Sequence, residues 1–139
     1  IDGAPPALIN YEISLEAMKL DGDDFFCALT VPVAQSFCTL VIGGWGGTLV
    51  GISNIDEMDA SENFTSQFRK FVPNRWYQIR FRVTSKKLEA WIDDEQLVDA
   101  DIEGKKISMR LGEIEMCQPL GIATFRTRSA LRNIKLKTI

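Results

Sequence analysis

The chain contains no histidine. That removes Ser-His-Asp and Cys-His nucleophilic catalysis, HExxH zinc chemistry and any histidine-ligated metal centre. Cysteine is scarce and odd in number, with Cys27, Cys38 and Cys117 alone, so at least one thiol has no partner within the chain. None belongs to a Cys-x-x-Cys pair, and they read as small apolar fillers of strands, not as a secreted disulfide framework. No apolar stretch approaches the roughly 20 residues that cross a bilayer as a helix, and no membrane span is expected. Basic runs are missing too: Lys and Arg number 16 against 19 Asp and Glu, a net charge of −3. Nucleic-acid binding needs a cationic face that releases counterions, so it is not expected either.

The remainder is the composition of an ordinary globular domain, 45% hydrophobic and 25% charged. A single domain over residues 1–139 is expected, large enough to bury a core without covalent staples. No repeat, low-complexity stretch or linker divides it. A first residue of Ile1 in place of Met is expected of a processed or trimmed chain, and the residues themselves leave the compartment open.

After a proline-containing start (Ile1-Asp-Gly-Ala-Pro-Pro6), Ile9, Tyr11, Ile13, Leu15 and Ala17 alternate with Asn10, Glu12, Ser14 and Glu16. That is the period of a half-buried strand. Leu20 to Asp24 reads as a turn. Phe25 to Val33 and Ser36 to Ile42 flank Ala34-Gln35 as a hairpin. In that register Val31 faces Cys38 and Cys27 faces Ile42, which holds the two cysteines about 13 Å apart, too far for a disulfide. Gly43-Gly-Trp-Gly-Gly47 breaks the pattern, Thr48 to Ser53 resumes it, and Asn54 to Asn63 is a polar, acidic excursion. Phe64, Phe68 and Phe71 sit at helical spacing but without a cap, so a strand over Phe64 to Val72 is preferred. Pro73-Asn74 turns the chain.

Tyr77, Ile79, Phe81 and Val83 then alternate with Gln78, Arg80 and Arg82. Leu88, Ala90 and Ile92 alternate with Glu89, Trp91 and Asp93. With Ser85-Lys86 as the turn, Val83 meets Leu88, Phe81 meets Ala90 and Ile79 meets Ile92 on the core face. The other face pairs Arg82 with Glu89, Arg80 with Trp91 and Gln78 with Asp93. Both faces make chemical sense in one register, and a slip by one residue undoes both. Gln96 to Asp101, Lys105 to Arg110, Leu120 to Arg126 and Ala130 to Lys137 complete about ten strands, the last two separated by Thr127-Arg128-Ser129. Strands at this spacing form a sandwich or a barrel.

Trp76-Tyr-Gln-Ile-Arg-Phe-Arg-Val83, a turn, and Leu88-Glu-Ala-Trp-Ile-Asp-Asp94 resemble the central hairpin of concanavalin A-like lectin/glucanase sandwiches. Ala130-Leu-Arg-Asn-Ile-Lys-Leu-Lys137 is similar to the last strand of such domains, which returns beside the first. More narrowly, Gly43-Gly-Trp-Gly-Gly47, Gly51-Ile-Ser-Asn-Ile-Asp56 and Asp59-Ala-Ser-Glu-Asn63 before Thr65 resemble the 3-keto-disaccharide hydrolase family, a bacterial, often exported branch of that superfamily. The likeness runs from residue 8 to residue 137. It implies an all-β, antiparallel two-sheet jelly-roll sandwich that handles carbohydrate on its concave face or rim loops. It also implies a periplasmic or extracellular location. The Glu-x-Asp-x-Glu strand by which laminarinase-type relatives cleave glucans is missing, since Glu89-Ala-Trp-Ile-Asp93 has tryptophan where the middle carboxylate would stand.

Sugar sites combine an aromatic ring under the apolar face of a pyranose with planar polar groups for its hydroxyls. Trp91, Arg80, Arg82, Glu89, Gln78 and Asp93 supply that mixture on one face, and Trp45 on its glycine-rich loop is a candidate second wall. The plain alternative is a solvated face, with Arg82–Glu89 as a surface ion pair and Arg80 covering Trp91. Glycoside hydrolysis needs two carboxyls about 5–10 Å apart. Glu89 and Asp93, like Glu12 and Glu16, stand about 13 Å apart along one strand, so no catalytic pair is identified. Asp21, Asp23 and Asp24, and Asp56, Asp59 and Glu62, offer oxygens that suit calcium but lack EF-hand spacing, and turn-forming roles are the alternative. No other cofactor is expected. Asn63-Phe-Thr65 matches a glycosylation sequon, although Asn63 could equally hydrogen-bond its own loop. Three functions stand: a saccharide-binding module, a glycosidase-type hydrolase of modified disaccharides, and a protein-interaction or assembly domain.

Overall fold

The first alternating run becomes strand β1 (Tyr11–Gly22), in which Tyr11, Ile13, Leu15 and Ala17 are buried and the residues between them are partly exposed. The computed structural model describes residues 10–22, 24–33, 36–53, 55–56, 58–105, 107, 121–123 and 127–139, and for 32, 36, 45 and 121–123 the backbone alone. Strand β1 is followed by β2 (Cys27–Val33), β3 (Ser36–Gly43), a short helical turn α1 (Gly44–Gly47), β4 (Leu49–Ser53) and β5 (Gln67–Phe68). Then come β6 (Trp76–Val83), β7 (Lys87–Ile92), β8 (Glu95–Asp101), β9 (Gly121–Ala123) and β10 (Thr127–Thr138).

These strands form two five-stranded antiparallel sheets, ordered β10-β1-β6-β7-β8 and β5-β4-β3-β2-β9. The fold is a jelly-roll sandwich, and the last strand lies against the first, as the resemblance implied. Inward residues of both sheets, among them Ile13, Phe81, Ala90, Leu29, Leu40 and Ile52, make one core. Both expected hairpin registers are present: Cys27 pairs with Ile42, Val31 with Cys38, Ile79 with Ile92 and Arg80 with Trp91. The thiols of Cys27 and Cys38 are free and buried.

In the second sheet the described side chains of β2, β3 and β4 are largely buried on both faces, whereas Gln67 and Phe68 of β5 are exposed. All five residues of β4 are buried, and a smaller cluster of Phe25, Ala28, Val41, Leu49 and Ala60 lies on the side away from the main core. The segment bearing Ala60 can approach this closely because position 51 is glycine: a Cβ there would meet Ala60 O at 3.1 Å and Thr65 Oγ1 at 3.3 Å. Asn63 pins the segment. Its amide donates to Ile52 O (2.6 Å) and Met58 O (3.0 Å), and its Oδ1 accepts from Thr65 N and Oγ1. The sequon asparagine therefore serves its own loop, with its amide hydrogens engaged. On the same face Thr30 and Thr39, paired across β2 and β3, share a buried hydroxyl–hydroxyl bond of 2.9 Å.

Several expectations need correction. The run Phe64 to Val72 is strand only at Gln67–Phe68. Phe71 alone of its three phenylalanines is buried, where it meets Phe26 and Tyr77 edge-on. Gly43 to Gly47 is no simple loop: Gly43, at φ +80°, turns the chain into α1. The expected turn at Leu20 and the separator Thr127-Arg128-Ser129 are both strand, because Lys19, Asp21 and Gly22 pair with Ser129, Arg128 and Thr127 across a β-bulge. Of the expected strand Lys105 to Arg110, Ile107 forms a bridge to Ile55, whereas 106 and 108–110 lie outside the described residues. So do Ala34-Gln35, Asp23, Cys117, Leu120 and 124–126.

Candidate functional site

With β2, β3 and β4 largely buried on both sides, the outer face of the first sheet is an accessible platform. Alternation assigns its side chains: Trp76, Gln78, Arg80 and Arg82 from β6, Glu89 and Trp91 from β7, and Glu12, Ser14 and Glu16 from β1. A cleft of about 420 Å³ opens here, bordered by Ser14, Glu16, Gln78, Arg80, Trp91, Asp94, Asn133 and Lys135.

The two edge strands are bulged beside this cleft. On β10, Asn133 and Ile134 together oppose Leu15, and Asn133 adopts φ 56°. That twist brings its amide onto Glu16 Oε1. On β8, Leu97 is the extra residue opposite Ala90 and Trp91. Bulges of this kind re-aim side chains at the rim of a sheet.

Charge on the face is arranged in cross-strand rows. Arg82 binds Glu12 through Nε (3.2 Å) and Nη2 (3.1 Å), so the ion pair expected with Glu89 does not form. Glu89 instead accepts from Gln96 Nε2 at 3.1 Å. Arg132 grips Glu16 in a bidentate fork, Nε to Oε1 at 3.2 Å and Nη2 to Oε2 at 3.3 Å. The Arg132 guanidinium first, and Asn133 second, hold the Glu16 carboxyl below the usual carboxylate range, which makes it a poor proton donor. Arg80 lies 4.2 Å over the Trp91 ring and Arg82 at 5.3 Å. Arg132 lies 3.8 Å over Trp76.

Of the residues expected to bind sugar, Trp91, Arg80 and Gln78 border this cleft, and Glu89 shares their face. Asp93 stands apart at the β7–β8 turn, where it and Asp94 both adopt positive φ. Its Oδ1 accepts from Gln78 N at 2.9 Å. Its Oδ2 lies 2.8 Å from Arg75 Nη1 and 3.7 Å from Arg69 Nη2, ion contacts outside hydrogen-bond alignment. Asp93 thus closes a turn. Trp45 sits on α1, which lies against β3 and β4 of the other sheet; its side chain lies outside the described residues.

Sequence reasoning passed over Trp76, Ser14, Asn133 and Lys135, and weighed Glu16 only as one of a catalytic carboxyl pair. Parity with Gln78 already places Trp76 outward, and the alternation of β1 does the same for Ser14 and Glu16. Asn133 and Lys135 depend on the bulge in β10, which shows in the sequence only as the step of three from Leu131 to Ile134 before the step of two to Leu136. Among the described residues no group of three or more Cys, Asp or Glu side chains is placed to hold a metal ion. Asp59 caps Ser61 and Asp56 faces Lys105 at 3.9 Å. No helix among the described residues is long and apolar enough to cross a membrane.

No family model and no curated protein matches the chain, so the narrower likeness to 3-keto-disaccharide hydrolases has no counterpart there. Among solved structures the chain is similar to the carbohydrate-binding module CBM66 from Bacillus subtilis, at TM-score 0.60 and 11% identity over 92% of this chain and 74% of that one. It is similar also to an ancestral congerin, at TM-score 0.54 and 14% identity over 93% and 92% of the two chains. Identities this low speak for the shared sandwich fold.

Proposed function

We propose that this protein is a carbohydrate-binding β-sandwich module whose saccharide lies across the outer face of the first sheet, against Trp91. One observation carries this reading: a partly exposed indole shares one cleft with the planar or charged groups of Gln78, Arg80 and Asn133. An indole offers a flat apolar surface to the C–H face of a pyranose, and amide and guanidinium groups match its hydroxyls. The likeness to a module described as carbohydrate-binding supports the reading. Calorimetric titration against a panel of neutral and acidic oligosaccharides tests it. Binding that Trp91→Ala weakens at least ten-fold is expected; a panel without any ligand sinks the reading.

Hydrolysis of modified disaccharides is the finer reading that the resemblance implies. It asks for a proton-donating carboxyl about 5–10 Å from a second one, a role that Glu16 fits poorly. Release of monosaccharide from a 3-keto-disaccharide, followed by chromatography, decides it. Assembly is favoured by a different observation, the exposure of Leu131, Ile134 and Leu136 on edge strand β10. Sizing chromatography across protein concentration tests that.

A further inference from the structure

The register places Lys135, Ser14, Arg80 and Trp91 in one cross-strand row, since Ser14 pairs with Lys135 on one side and Arg80 on the other, and Arg80 pairs with Trp91. All four border the cleft. In the two flanking rows each β1 carboxylate already has its cation: Glu12 has Arg82, and Glu16 has Arg132 with Asn133. The middle row has no carboxylate. Among the described residues Arg80 makes no ion pair or hydrogen bond, only its stack on Trp91, and Lys135 makes neither. Two cations on either side of a serine, about 10 Å apart at their backbones, therefore face the cleft unneutralised. The other acid at the cleft, Asp94, sits exposed on the β7–β8 turn.

We propose that the cleft selects saccharides bearing an acidic group, with the oxyanion held over Ser14 between Arg80 and Lys135 and the neighbouring sugar ring against Trp91. This rests on the carbohydrate reading above and names its ligand class. A guanidinium presents paired N–H donors to a carboxylate or sulfate, an ammonium adds a compact charge, and a hydroxyl donates one further bond. The geometry also couples charge to stacking, because Arg80 must tilt from the indole to meet the anion, so tryptophan emission changes as an acidic ligand binds.

The test is an array of uronate-bearing and sulfate-bearing oligosaccharides, each printed beside its carboxyl-reduced or desulfated form, followed by fluorescence titration of the ligands found. At least ten-fold preference for the acidic member of a pair is expected, weakening as sodium chloride is raised. R80Q and K135Q each abolish that preference, and K135Q keeps the fold because Lys135 is solvent-exposed. The pair that shows the difference identifies the anion as uronate or sulfate. Equal binding of acidic and neutral members overturns the proposal and leaves the carbohydrate reading standing. Binding of neither overturns both.

Discussion

Arg82 lies between two glutamates on neighbouring strands and takes Glu12 of β1, at 3.1 Å, leaving Glu89 of β7 to Gln96. The choice decides the charge pattern of the exposed face. With Glu12 neutralised on β1 and Glu16 held by Arg132, the row between them carries cations alone. Glu12 is the more sheltered partner, its side chain 12% exposed against 37% for Arg82. An ion pair at this depth is worth about 0–1 kcal/mol, so its importance is for the field over the cleft rather than for stability.

Asn63→Ala is expected to lower stability by about 2–3 kcal/mol, because Ile52 O, Met58 O and Thr65 N lose their partner together. Phe64→Ala, next in the chain and 54% exposed, should stay within about 0.5 kcal/mol. Urea denaturation of both variants checks the contrast. Equal effects would mean that Asn63 does not hold the segment.

Gly51→Ala probes the same segment by crowding. The added methyl would approach Ala60 O at 3.1 Å and Ala60 Cβ at 3.2 Å, and both belong to a stretch tied down by Ser53 Oγ and Asn63. A loss of about 1–3 kcal/mol is expected, read from the urea midpoint. An unchanged midpoint would show that the segment shifts freely.

What sequence could and could not reveal divides along physical lines. The β6–β7 hairpin was legible because both of its faces constrain one register: oily residues inward, and Arg80 opposite Trp91 outward. The β2–β3 register was legible for the same reason. Partner choice was not. Arg82 has a glutamate on each side, and alternation says which face a residue takes but not which neighbour wins. Bulges escaped as well, although in β10 the step of three from Leu131 to Ile134 breaks the alternation across Arg132 and Asn133, where the additional residue sits. The covering of β4 depends on the close approach of Ala60 to Gly51, nine residues back in the chain, and a loop contact of that kind has no periodicity to betray it.

Burial pushes the thiols of Cys27 and Cys38 up to about 12, and burial raises the Tyr11 phenol as well. An exposed thiol ionises near 8.5, so above that pH the unfolded chain releases protons that the folded one keeps. Stability from these groups is complete below about pH 8.5 and is lost as pH climbs towards 12. A denaturation midpoint that falls from pH 9 upward is the expected result. Iodoacetamide at pH 8 should leave the peptides containing Cys27 and Cys38 unmodified until denaturant is added, as followed by mass spectrometry. Labelling of either one in the native protein would contradict their burial.

Glu16 gives the opposite pH dependence. Its carboxyl is held low by Arg132 and then by Asn133, so the folded chain keeps it ionised where the unfolded chain has begun to protonate it. A group depressed on folding stabilises above its unfolded value, near 4.3 for glutamate, and that contribution disappears as pH falls through the folded value. Glu16→Gln removes the linkage, and the stability curve of the variant should run flatter than that of the parent below about pH 4.3. Urea midpoints for both proteins at pH 3, 4, 5 and 7 measure the difference. Curves that stay parallel down to pH 3 would mean that the Arg132 fork does not form in solution. Asn133 would then lose its anchor, and with it the cleft would lose the wall that the bulge in β10 provides.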